Sequence, residues 1–290
     1  MGAVYKGMDE EFLEAEYNLL ERRGADSAAE VIQDWTDRSA RYREESGSAR
    51  IDLAYGEGDR DKLDWFFGGD VNGPLLVYIH GGYWQRGDKS MYSFIAESFV
   101  RYGVSVAVLN YNLTPSVRIG EIPPQIRQAI SWLWQHAPEL GFSRELFHIS
   151  GHSAGGQLTA MMMATNWSDF DGQLPAELVR AGIPISGVFE LEPLVHTSIN
   201  DVPAMSLDEA RRESPSNITP ATNAPQLVAV GGGESGEFLR QADAYADQYR
   251  SADRKMERLD VLVDDHFDIL NTLASDDSEF FARCMALINA

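Results

Sequence analysis

Residues 146–166 read LFHISGHSAGGQLTAMMMATN. The first five form a short apolar run of strand type, and the stretch from Gln157 onward has helical composition. Between them, Gly151-His152-Ser153-Ala154-Gly155 satisfies the pattern G-x-S-x-G. In a strand-to-helix elbow the serine takes a strained backbone conformation, and small neighbours let strand and helix approach closely; Gly151, Gly155 and Gly156 meet that demand. Ser153 is therefore the candidate nucleophile.

Working outward, further short apolar runs recur at LLVYI (75–79), VSVAVL (104–109), AGIPIS (181–186), QLVAV (226–230) and 256–263, as expected of strands covered on both faces. Amphipathic segments lie between them, for example 125–136 and 237–250, where Phe238, Ala242, Tyr245, Ala246 and Tyr249 form one stripe. This alternation predicts a mostly parallel, doubly wound α/β sheet. Ahead of it, Ile51, Leu53 and Tyr55 and then Leu63, Trp65 and Phe67 alternate like an antiparallel pair. Residues 9–45 read as a helical arm broken at Gly24. Residues 187–224, with prolines at 193, 203, 215 and 220, interrupt the rhythm and are expected to form a small cap over the C-terminal edge of the sheet. One domain spanning 1–290 is the expectation for this length.

A nucleophilic serine needs a base. Of the six histidines, His80 precedes a Gly-Gly pair, His136 ends a helix, His148 lies in a strand, His152 sits inside the elbow and His196 falls in the cap. His266 alone follows the last strand, where the base stands when the order along the chain is serine, acid, histidine. The acid belongs on the loop after QLVAV, in Gly231-Gly232-Gly233-Glu234-Ser235-Gly236-Glu237. Glu234 is the choice, because the glycines allow a sharp turn that brings its carboxylate to the imidazole. Glu237 begins the next helix, and Asp264 and Asp265 are expected to point elsewhere.

The loop His80-Gly81-Gly82-Tyr83-Trp84 follows the strand LLVYI. The backbone N–H groups of Gly82, Tyr83 and Ala154, with Gly81 as an additional contributor, are the expected donors to a developing oxyanion. His80 is expected to be a structural hydrogen-bonder under that loop. Tyr83 and Trp84 offer planar apolar faces at the site and are candidate substrate contacts.

The formal net charge of −21, from 45 acidic against 24 basic residues, disfavours nucleic-acid and anionic membrane partners and leaves a small-molecule substrate. The single cysteine, Cys284, rules out an internal disulfide and a thiolate metal cluster and is expected to be buried. No apolar run approaches the ~20 residues of a membrane span, and MGAVYKGMDEEFLEAEY has no apolar h-region, so a cytoplasmic setting is expected. The sequence leaves a homo-oligomer open.

On HGGYW (80–84), GHSAGG (151–156), SGVFELEPL (186–194), ESGEFLRQ (234–241), DHFDIL (265–270) and Glu16-Tyr17-Asn18, the chain resembles the kynurenine formamidase (arylformamidase) family of α/β-hydrolases, related to hormone-sensitive-lipase-like esterases. The resemblance implies the α/β-hydrolase fold and hydrolysis of N-formyl-L-kynurenine to kynurenine and formate without a metal or other cofactor. It places the family's nucleophile on Ser153, its acid on Glu234 and its histidine on His266. The chain departs from the family at the acid, usually Asp, and at Gly236, where Pro is frequent. A carboxylesterase acting on aryl or short-chain acyl esters is the alternative, and a catalytically dead binding module the third reading.

Overall fold

The computed structural model describes residues 2–290. Eight strands form one sheet: β1 (Ala49–Ala54), β2 (Lys62–Phe66), β3 (Leu75–Ile79), β4 (Ser105–Leu109), β5 (Phe147–His152), β6 (Ala181–Ile185), β7 (Gln226–Gly231) and β8 (Met256–Val261). Their order is β1-β2-β4-β3-β5-β6-β7-β8. β1 and β2 pair antiparallel, β2 runs antiparallel to β4, and every remaining pair is parallel.

Burial explains which runs took which place. Every residue of β3, β4, β5, β6 and β7 is buried, as strands covered by helices on both faces require. β1 and β8 are largely open and stand at the two edges. The helix Ala154–Met163 is buried along all ten residues, and Gly236–Tyr249 turns its five-residue apolar stripe inward.

Register places the chemistry. Ile79 pairs with Gly151, so the loop after β3 and the elbow after β5 emerge side by side. Gly231 pairs with Val261, which brings the loops after β7 and β8 together on the same side.

The arm consists of three helices, Glu10–Tyr17, Leu19–Arg23 and Ala25–Glu45. Asn18 separates the first two and caps the second, accepting from the Glu21 N–H, while Gly24, at φ 90°, makes the turn into the third. Long-range bonds hold the arm down. Tyr17 Oη donates to Glu237 Oε2 (2.9 Å), Trp35 Nε1 to Asn271 Oδ1 (3.1 Å), and Arg23 pairs with Asp265 (2.5 Å) and Asp268 (2.9 Å).

The expected cap needs correction. Residues 187–224 form short helical turns, Glu192–His196, Ser198–Asp201, Leu207–Arg212 and Pro215–Asn217, but of these only Ile199 reaches the cavity above Ser153. The rest packs on the body and against the arm: Gln241 Oε1 accepts from the N–H groups of Phe189 and Glu190, Glu209 pairs with Arg118, and the Ser198 N–H donates to Glu14 Oε2 of the first arm helix. The roof is the N-terminal arm.

Candidate active site

Ser153 stands at φ 59°, ψ −118°, a conformation that L-residues avoid unless the surroundings impose it. Its N–H is held by Ile185 O at 2.9 Å. The glycines explain how the elbow closes: a Cβ on Gly155 would lie 2.0 Å from Ile79 O, and one on Gly151 would lie 2.3 Å from Gly155 O. Neither position admits a side chain without parting helix from strand. Ser153 is left nearly buried on the floor of a cavity that His266 also lines.

His266 Nδ1 donates to Glu234 Oε2 at 2.6 Å. The other carboxylate oxygen, Oε1, accepts from the Gly231 N–H at 2.9 Å and from the Ser186 hydroxyl. Every oxygen of this buried acid thus has a donor, which is what lets it remain charged away from water. Gly233 N–H donates to Asp264 O at 2.9 Å, and a Cβ on Gly231 would come 2.4 Å from that same oxygen, so the glycine run presses the acid's loop against the histidine's. The ring of His266 lies 4.8 Å from Phe238 and 4.5 Å from His152. Burial, with His266 adding in the same sense, holds the His152 pKa well below the usual histidine range, so this neighbour is neutral.

Ser186 escaped sequence reasoning. Its only signal is its place directly after β6, opposite the acid's strand, and its positive φ of 47° shows in the structure alone. Asp265 points away from the site toward Arg23, and Glu237 binds Tyr17 and Arg240.

The loop after β3 lies on the elbow: a Cβ on Gly81 would meet His152 O at 2.8 Å and Ser153 Cβ at 3.0 Å. Gly82, Tyr83 and Trp84 take φ values of 115°, 49° and 58°, a run of left-handed turns. Among the described residues no acceptor takes the N–H groups of Gly82, Tyr83 or Ala154, the last being the first residue of its helix. Unpaired donors beside a serine are what a developing oxyanion needs. Beneath the loop, His80 is buried, bonded through Nδ1 to Gly81 O (2.7 Å) and stacked on Tyr92 and Tyr111, with burial pushing its pKa down to about 4.

Tyr83 lines the cavity and ties its hydroxyl to Tyr17 O at 2.7 Å. Trp84 does not line it, contrary to the expectation of a substrate contact. The consecutive left-handed residues turn its ring into the core, where it is fully buried and Nε1 donates to Gln157 Oε1 at 3.1 Å. The aromatic walls come instead from Trp35 of the arm, Tyr92 and Phe267. Leu19, Leu20 and Ile32 complete the roof. The cavity measures about 210 Å³, more than the ~150 Å³ that takes a benzene ring. Among the described residues no three His, Cys, Asp or Glu side chains are grouped to hold a metal ion.

A mostly parallel eight-stranded sheet carrying a serine elbow, with an acid–histidine pair on the loops after its last two strands, defines an α/β-hydrolase. The family model BD-FAE matches residues 68–229. Kynurenine formamidase of Salmo salar is 30% identical over 94% of each chain, and that of Danio rerio 29% identical over 94% of each. A solved structure of a candidate thioesterase from Silicibacter sp. TM1040 superposes with a TM-score of 0.78 at 33% identity, covering 97% of this chain and 98% of that one. The chain belongs to the kynurenine formamidase family and is a hydrolase.

Proposed function

We propose that the enzyme is an arylformamidase that hydrolyses N-formyl-L-kynurenine to kynurenine and formate, with Ser153 as nucleophile, His266 as general base and Glu234 as the orienting acid. The observation that carries the reading is the 2.6 Å bond from His266 Nδ1 to a carboxylate whose other oxygen is already held by two donors, in the cavity that has Ser153 on its floor. That bond fixes the proton on Nδ1 and leaves Nε2 free to accept.

Ser153 Oγ attacks the formyl carbon while its proton passes to His266 Nε2, and the carbonyl oxygen becomes the oxyanion, taken by the N–H groups of Gly82, Tyr83 and Ala154 with Gly81 close by. The imidazolium, balanced by Glu234, protonates the aryl nitrogen as the C–N bond breaks, and the arylamine leaves a formyl-serine. Water then attacks this ester with His266 as base, releasing formate and restoring the serine. A formyl group asks for little room on the acyl side, whereas the aryl ring fits among Trp35, Tyr92 and Phe267. No helix among the described residues is long and apolar enough to cross a membrane. A cytoplasmic setting belongs to the same reading, supported by a single cysteine that is buried and unpaired.

A carboxylesterase is the second reading, favoured by a largely apolar cavity wall to which, among the described residues, 187–224 contributes Ile199 and no charge. The test compares kcat/KM for N-formyl-L-kynurenine and p-nitrophenyl acetate in the wild type and in Ser153→Ala. Serine-dependent formamide turnover in the ~10⁴ to 10⁸ M⁻¹s⁻¹ range is expected. Ester cleavage alone would overturn the formamidase assignment, and activity surviving in Ser153→Ala would overturn the mechanism.

A further inference from the structure

The protein carries a net charge of −21, yet among the described residues no Asp or Glu lines the cavity that holds Ser153 and His266. Among those residues the only Lys or Arg that lines it is Arg86. The cations beside its loop are neutralised: Arg60, which donates to Gly87 O, pairs with Asp88, and Lys89 pairs with Asp64 and Asp52. Among the described residues the Arg86 guanidinium has no carboxylate or other acceptor, and the residue is exposed at the cavity wall.

Its attachment is fixed even though its head is unpartnered. The Arg86 N–H donates to Gly82 O at 3.1 Å, and a Cβ on Gly82 would lie 2.9 Å from Arg86 Cγ, so the side-chain stem crosses the face of that glycine. The cation is therefore built onto the loop that offers the oxyanion donors, across from aromatic walls made by Trp35 and Phe267, which stack with centroids 6.2 Å apart.

A guanidinium presents a planar fork of donors matched to a carboxylate, and an unpaired one at a pocket mouth reverses the local sign of the field on an otherwise anionic protein. We propose that Arg86 binds a carboxylate of the substrate and that the enzyme selects acylated aryl compounds bearing one. The inference rests on Ser153 being the reacting centre, and it holds for amide or ester substrates alike.

The test uses two substrate pairs that each differ only in the carboxylate: 4-(2-formamidophenyl)-4-oxobutanoate, which is N-formylkynurenine without its ammonium group, against 2-formamidopropiophenone, and 4-acetoxybenzoate against phenyl acetate. For each pair the ratio of kcat/KM, charged over uncharged, is measured in the wild type, Arg86→Met and Arg86→Lys. In Arg86→Met the ratio falls about tenfold, through KM for the charged member, as expected for a water-accessible charge-assisted pair. Arg86→Lys restores part of it. An unchanged ratio, or equal losses on both members, overturns the proposal. If the wild type cleaves only the esters, the formamidase assignment fails while the ester pair still decides the role of Arg86.

Discussion

Replacing Glu234 by glutamine removes a charge while keeping shape, and the surroundings of the carboxylate dictate the consequence. One oxygen site, Oε1, has two donors aimed at it, the Gly231 N–H and the Ser186 hydroxyl; the other, Oε2, faces His266 Nδ1. Glutamine has a single oxygen to share between them. With its NH2 at the first site, two N–H groups confront each other at about 2.9 Å and a buried backbone donor is orphaned, at a cost of ~1–3 kcal/mol. With its NH2 at the second, those bonds survive, but His266 must accept at Nδ1 and carry its proton on Nε2. The second arrangement is cheaper, and it is the tautomer that cannot take a proton from Ser153. The imidazolium formed in the reaction also loses its partner at 2.6 Å in a buried setting. Triad acid-to-amide changes of this kind lower kcat about 10⁴-fold, equivalent to about 5.4 kcal/mol at 1.36 kcal/mol per decade. The assay is steady-state kinetics of Glu234→Gln beside the wild type, with thermal unfolding as the control for folding. A folded Glu234→Gln enzyme with kcat within tenfold of wild type would refute the assignment of Glu234.

Further expectations follow from packing and burial. Gly155→Ala puts a methyl 2.0 Å from a backbone oxygen that no rotamer can move, so it costs about 3 kcal/mol or more, whereas Gly172→Ala, with nothing within 4 Å, changes unfolding free energy by under about 0.5 kcal/mol; equal melting temperatures for the two would contradict the elbow argument. Trp84→Phe strips the donor from the fully buried Gln157 and destabilises by ~1–3 kcal/mol, while KM for the aryl substrate stays within about twofold; a large rise in KM at unchanged stability would put Trp84 back at the substrate. Burial lowers the pKa values of His80 and His148 to about 4 and holds that of His152 well below the usual histidine range. Unfolded histidines bind protons from pH ~6.5 downward, so the unfolded state holds more protons between pH 4 and 6.5 and stability rises with pH there, by up to about 1.4 kcal/mol per unit for each. Denaturant unfolding at pH 7 and pH 5 checks this, and a flat profile would show that these rings are not kept neutral by the fold.

The parts of the molecule readable from sequence are those set by local chemistry. LLVYI became β3 with its expected limits, and the serine elbow declares itself through its flanking glycines, where an added Cβ would lie 2.0 to 2.3 Å from a backbone oxygen. What stayed hidden was set by contacts between distant segments. Leu19, Leu20, Ile32 and Trp35 read as apolar residues of amphipathic helices, and spacing says that such a face is covered without saying by what. The prolines of 187–224 marked an excursion, but not which surface it packs against. Tyr83 and Trp84 look equivalent on paper; a pair of left-handed backbone turns sends one ring to the cavity and the other into the core.

The roofing of the cavity by the arm bears on how the active enzyme comes into being. The arm precedes its moorings by very different lengths of chain: its third helix docks on segments that follow soon after, Ser39 Oγ accepting from the Phe94 N–H and Arg43 donating to Ser90 O, whereas Tyr17 waits for Glu237 and Arg23 for Asp265 and Asp268, separations of 220 to 245 residues. Contacts so remote in sequence require the longest loop closures in the chain and form slowly. For most of its emergence from the ribosome the polypeptide therefore holds its first two helices, with the roof residues Leu19 and Leu20, without their C-terminal partners. The pocket closes only when the last strand and the loop beyond it are in place, so the last of the cavity's walls, Phe267, and His266 arrive together.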